Sequence, residues 1–208
     1  MKLQHTSIVE LDCALLPKSI DVLDVSQCRN LERILNLDQL SNLTILNITG
    51  TPIASLPRLP NSLTCLNAKQ CPNLTTLPVL EQTNLRSLTL YRTPVENLPH
   101  LPSTLSLLNI HKTKVRGEGF PMIPDSVTYL DIDYTPAVKD GFLPNRMDGE
   151  QYADYANRVR TLWKGCSHKE KFALFHEELI VATWHPDRFE QWCLDIEEKK
   201  ENEMMMVF

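Results

Sequence analysis

The chain has 208 residues, 42% of them hydrophobic and 23% charged, with 21 basic against 26 acidic side chains. That length supports one domain, or one with a small appendage, around a proper hydrophobic core. The mild acidity excludes the strongly basic footprint of a nucleic-acid binder, and no apolar run reaches the ~18–20 residues of a membrane-spanning helix.

Taken in chain order, Met1-Lys2-Leu3-Gln4-His5 has no apolar stretch of the signal-peptide kind. Ile8-Val9-Glu10-Leu11-Asp12-Cys13 reads as a short strand that starts a sheet, within an N-terminal cap over 1–19. A repeat follows. Aligned on Leu-x-x-Leu-x-Leu, six registers start at Ile20, Leu43, Leu63, Leu85, Leu105 and Val127, spaced by 23, 20, 22, 20 and 22 residues. Three residues beyond each register stands a Thr or Cys: Cys28, Thr51, Cys71, Thr93, Thr113 and Thr135. A proline-rich return such as Leu56-Pro57-Arg58-Leu59-Pro60 then leads to the next register. Such periodicity specifies a solenoid, in which inward leucines of successive coils stack into a core that no single repeat buries alone. Each Leu-x-Leu is a short strand with period-2 side chains. The Thr or Cys turns the chain off the strand, donating to nearby turn carbonyls. Proline on the return forbids helix there, so the far side is extended or 3₁₀-like.

These residues resemble the leucine-rich-repeat family over roughly 8–143. The short period and the Leu-Pro-x-Leu-Pro returns are most similar to the Leu-Pro-rich subtype of bacterial effectors and of repeat proteins in large DNA viruses. One departure is Thr51-Pro52-Ile53 and Thr93-Pro94-Val95, where the family usually has an Asn ladder. The expected architecture is an α/β-type repeat solenoid. A leucine-rich-repeat arc over 1–145 carries a parallel β-sheet of short strands on its concave face. A C-terminal α-helical cap over 146–208 completes it.

Three helices are expected in that cap. The first, over about 149–164, carries Tyr152, Tyr155, Val159, Leu162 and Trp163 on one face and stops at Gly165. A capping box, Ser167-x-x-Glu170, opens the second with Phe172, Phe175, Leu179 and Ala182 on one face. Pro186 begins the third, with Phe189, Trp192 and Ile196. From Arg146 onward the chain holds 9 basic and 13 acidic residues, ending in the apolar Met204-Met205-Met206-Val207-Phe208. A solenoid's open end exposes core leucines, so a cap is the plain role of this block. Residues 178–195 also resemble a C-terminal pattern of giant-virus repeat proteins, which implies a viral source and no chemistry.

Chemical motifs weigh against catalysis. His185-Pro186-Asp187 matches the tripeptide of J-domain co-chaperones, but the preceding helix carries Glu177 and Glu178 instead of a basic face. Cys193-x-Asp195 is similar to the catalytic motif of effector ubiquitin ligases. The roughly 60 residues present here are far fewer than that domain needs, and Cys193 beside Trp192 suits a packed thiol. Cys166, His168, His176, His185 and Cys193 follow none of the paired metal-ligand spacings. There is no phosphate loop and no hydrolase elbow. No cofactor, metal, nucleic acid, membrane or small-molecule substrate is expected. Six irregularly spaced cysteines indicate a reducing, intracellular, cytoplasmic setting, with a virion as the alternative.

Function is expected on the concave face. The position between the two core residues of each strand gives Asp24, Asn47, Asn67, Thr89, Asn109 and Asp131. Beyond the strand come Ser26, Thr49, Lys69, Tyr91, His111 and Asp133, then Gln27, Gly50, Gln70, Arg92, Lys112 and Tyr134. Polar residues there also serve merely to keep a sheet soluble. That account fits the Asn and Asp column better than the pairing of Tyr91 with Arg92, types enriched at binding hot spots. The candidate partner-binding residues are Lys69, Tyr91, Arg92, His111, Lys112, Asp131, Asp133 and Tyr134. The expected activity is non-enzymatic recognition of a protein partner. The alternatives are an assembly or virion component of a large DNA virus and, further off, a ubiquitin ligase using Cys193.

Overall fold

The computed structural model of the chain describes residues 1–117 and 120–165. Eight three-residue strands form in chain order: β1 (Glu10–Asp12), β2 (Val22–Asp24), β3 (Arg33–Leu35), β4 (Ile45–Asn47), β5 (Cys65–Asn67), β6 (Ser87–Thr89), β7 (Leu107–Asn109) and β8 (Tyr129–Asp131). Six of them make one parallel sheet in the order β2-β4-β5-β6-β7-β8. The register is the one the repeat dictates: Leu23, Leu46, Leu66, Leu88, Leu108 and Leu130 lie side by side. All six are fully buried, with Leu43, Leu63, Leu85 and Leu105 on one side and Val25, Ile48, Leu90 and Ile110 on the other. Burial at every coil by identical positions is why the strands stop at three residues: the chain must turn inward again at once to supply the next core residue.

The returns fill the rest of the core without regular structure over residues 48–64, where Ile53, Leu56 and Leu59 are buried between prolines. Side-chain hydroxyls tie one return to the coil before it. Ser62 donates to the Leu43 carbonyl (2.7 Å), Thr104 to Leu85 (2.7 Å) and Ser126 to Leu105 (2.6 Å). Short 3₁₀ turns occur at Cys13–Leu15 and Leu37–Gln39.

The N-terminus departs from expectation. The strand anticipated within residues 8–13 does not begin the main sheet. It is β1, and it pairs in parallel with β3 in a separate two-stranded sheet built from two return arms. The main sheet is instead extended by the first residues of the chain. Lys2 bridges Asp24, Leu3 N donates to Asp24 O at 2.7 Å, and His5 N donates to Ser26 O at 3.2 Å. Thr6 then occupies the Thr/Cys position, its hydroxyl donating to Leu3 O at 2.9 Å. Met1–Thr6 is therefore a coil of its own, and β1 follows Thr6 as β3 follows Cys28.

Past the last coil, Pro136 opens a single-turn helix, α1 (Pro136–Lys139), and α2 (Tyr152–Gly165) packs on β8. Of the face expected for α2, Tyr155, Val159 and Leu162 are buried, as is Ala156. Trp163 packs edge-on to Phe120 and against Phe142. Buried Arg160 donates from Nη1 to the carbonyls of Pro124 and Val127, both at 2.9 Å, satisfying backbone of the final repeat. The approach to α2 is pinned by a nearly buried ion pair between Glu150 and Arg158 at 2.6 Å. Nothing in this region leaves room for a side chain at Gly117, where a Cβ would lie 1.9 Å from the Phe142 ring. The second and third expected helices, the His185 and Cys193 motifs and the apolar C-terminus lie outside the described residues. No described helix is long and apolar enough to cross a membrane.

Candidate partner-binding face

The solvent face of the six-stranded sheet is built of repeated columns, and each column has a local reason. The Asn/Asp column is structural as well as polar. Asp24, Asn47 and Asn109 accept, through Oδ1, the backbone N–H two residues on (3.0, 3.1 and 3.1 Å), and Asn67 and Asp131 do so more loosely at 3.4 Å. This Asx turn bends the chain off the strand. The Thr/Cys column completes the bend from beneath. Thr51, Thr93, Thr113 and Thr135 donate to the carbonyl three residues back at 2.7–2.8 Å. The cysteines reach across instead: Cys28 Sγ donates to Leu3 O and Cys71 Sγ to Ile48 O, each on the preceding coil. The four described cysteines are free thiols. Burial pushes Cys71 up and, with the Asp12 charge, takes Cys13 to about 11.

Between these two columns lies a strained one. Gln27, Gly50, Gln70, Arg92, Lys112 and Tyr134 all have positive φ, between 54° and 70°. Left-handed backbone costs a non-glycine residue roughly 1–2 kcal/mol, yet five of the six carry side chains. The compensation is a hydrogen bond to the next coil: Gln70 N donates to Tyr91 O (2.8 Å), Arg92 N to His111 O (3.0 Å) and Lys112 N to Asp133 O (3.0 Å). The parallel ladder thus runs on through the turn.

Seven of the eight expected residues converge at the C-terminal half of this face. The His111 ring lies between Tyr91 (5.4 Å between centroids) and Tyr134 (5.2 Å). The Arg92 guanidinium is 5.2 Å from the Tyr91 ring centre and Lys112 Nζ 5.0 Å from that of Tyr134. His111 Nδ1 lies 3.1 Å from Asp131 Oδ1, while Asn109 Nδ2 donates to Asp131 Oδ2 at 3.1 Å. Asp133 is half-buried beside Asp131, and its carboxyl is pushed up, first by burial and then by the Asp131 charge. Lys69 stands apart, exposed on the preceding coil, with no side-chain hydrogen bond or ion pair among the described residues.

Sequence reasoning missed a fourth column. The residue before each central leucine also points to solvent: Val22, Ile45, Cys65, Ser87, Leu107 and Tyr129. Ile45 is 38% exposed and the others half-buried, so a largely apolar stripe, interrupted at Ser87, runs beside the Asx turns. Period-2 alternation alone identifies these positions, since both neighbours of an inward leucine face outward. Tyr129 at the end of the stripe stacks on Tyr152 of α2 (4.1 Å), and the Arg146 guanidinium lies 4.6 Å over the Tyr152 ring. Burial, reinforced by Tyr152, pushes Tyr129 up to about 12.

No family model matches the chain, and no curated protein does. Among solved structures it is similar to YopM from Yersinia enterocolitica WA-314, with a TM-score of 0.50 and 29% sequence identity. The match covers 58% of this chain and 26% of that one, so the chain spans about a quarter of the structure it resembles. Both share the leucine-rich-repeat fold: a parallel β-solenoid of short strands with a repeat near 22 residues.

Proposed function

We infer that this leucine-rich-repeat chain is a non-enzymatic recognition module that binds a protein partner through the solvent face of its parallel sheet. One observation carries the reading. Tyr91, Arg92, His111, Lys112 and Tyr134 form a contiguous aromatic and cationic cluster beside the apolar stripe that ends in Tyr129. A partly apolar centre bordered by aromatic and Arg anchors is the composition of a protein interface, and six strands at ~4.8 Å present enough length for ~800 Å² per partner. Backbone strain supports it. Arg92, Lys112 and Tyr134 sit where glycine is easier, and long side chains at such positions point to a use for them. The partner is read as protein, with no nucleic acid, membrane, cofactor or small-molecule substrate, and the reducing intracellular setting belongs to the same proposal.

The test is affinity capture with the intact chain, followed by titration of the captured protein. Replacing Tyr91 and Arg92 together by alanine weakens binding by ~2 kcal/mol or more, roughly thirtyfold. The cluster is cationic at its exposed tips, so added salt weakens binding to an acidic partner surface. Equal affinity for the double variant and the parent excludes the face. It then moves the contact to the helical end, which the assembly-component reading would use.

A further inference from the structure

Neighbouring coils bring three side chains together on the solvent face: the residue beyond the strand in one coil, and the Asx-turn residue and the second residue after it in the next. Between β4 and β5 these positions hold Thr49, Asn67 and Lys69. Between β7 and β8 they hold His111, Asp131 and Asp133, and one nitrogen or oxygen from each lies within 4.8 Å of the others.

Two observations separate this trio from an ordinary acidic patch. The first is the nitrogen donor, an imidazole held between two tyrosine rings and against Asp131. The second is Asp133. It is half-buried beside a second carboxylate, and its own carboxylate accepts no hydrogen bond and forms no salt bridge among the described residues. The Arg146 and His111 charges favour the Asp133 carboxylate from a distance, but neither forms a salt bridge with it. Arg146 Nη1 donates to Glu150 O and its guanidinium covers Tyr152, while Lys112 Nζ lies over Tyr134.

We propose that His111, Asp131 and Asp133 form a binding site for a divalent transition metal of the zinc class. Mixed imidazole and carboxylate donors suit Zn²⁺ and its neighbours, whereas Ca²⁺ and Mg²⁺ favour oxygen-only sets. Metal–ligand bonds of ~2.0–2.2 Å place donors ~3.4 Å apart, and since His111 Nδ1 and Asp131 Oδ1 already stand 3.1 Å apart, the closing movement falls to the Asp133 side chain. The Asn109 amide and the Asp133 N–H hold Asp131 in place as supporting contacts. Three protein ligands leave a fourth position to water on the open side. The trio belongs to the candidate partner-binding face, but uptake of the metal needs no partner, so its failure and the failure of that reading are distinguishable.

The test is calorimetric titration of the reduced, metal-free full-length chain with Zn²⁺ alone, repeated on His111→Ala, Asp133→Asn and the exposed control His100→Ala. The expected result is a site whose affinity falls at least tenfold in the first two variants and is unchanged in the control. Asp133→Asn keeps the side-chain volume, so it decides the matter if His111→Ala loses its fold. No zinc uptake by the parent chain overturns the proposal. So does uptake that both His111→Ala and Asp133→Asn leave unchanged, since other ligands then hold the metal.

Discussion

A buried hydroxyl illustrates how single residues hold this chain in shape. Thr113 is nearly inaccessible, and its hydroxyl bonds the Ile110 carbonyl at 2.8 Å. Thr113→Val keeps the volume but leaves that carbonyl only the Thr113 backbone N–H, so stability should fall by ~0.5–1.5 kcal/mol, read as a lower urea midpoint with unchanged slope. An unmoved midpoint would mean the hydroxyl column is decorative. The sequence showed this column and its donor role, because Thr or Cys recurs three residues past every register. It did not show that Asn and Asp one turn earlier share the work, because an Asx turn and a solvated polar residue look alike as letters. The positive φ of Arg92, Lys112 and Tyr134 was equally hidden, since glycine marks that conformation only at Gly50. For Arg92 and Lys112 the strain is met by hydrogen bonds to the next coil, and no local pattern records those.

At the scale of elements, each strand is three residues long and stable only between two others. Leu88 on β6 is fully buried and aligned with Leu66 and Leu108 on the flanking strands. Leu88→Ala should therefore cost ~2–5 kcal/mol, with one cooperative transition, because the cavity is felt by two coils. Thermal melting checks it, and a midpoint that hardly moves would contradict the register. Strand placement was legible to within one residue for the six repeats: each strand starts one residue before the Leu-x-Leu stretch, at Val22 instead of Leu23 in the first. The first coil was not. Met1–Thr6 offers only Met1 and Leu3 in the register positions, whereas the run at 8–13 alternates like a strand. Pairing partners decided the matter: β1 meets β3 across two return arms, while Leu3 and His5 reach the free edge at β2.

For the whole molecule, the question is what closes the solenoid and what its open face does. Tyr155, Val159 and Leu162 of α2 bury themselves against the last coil, and Arg160 holds two of its carbonyls. Deleting residues 146–208 should expose the Val127–Ile132 coil, lower the melting midpoint and promote aggregation, as seen by light scattering. A truncated chain that stays monomeric with an unchanged midpoint would make the helical block dispensable to the fold. The face itself was partly legible. Tyr91 and Arg92 stood out by residue type, but their convergence with His111, Asp131 and Tyr134 depends on coil stacking, and Arg146 and Tyr152 enter only because α2 folds back onto β8. The central claim, that this face meets a protein partner, is tested most directly by hydroxyl-radical footprinting of the intact chain, alone and with its captured partner. The account predicts that oxidation of Tyr91, His111 and Tyr134 falls severalfold in the complex while exposed Met122, outside the face, is unaffected. Unchanged oxidation of those three residues in a saturated complex would contradict it.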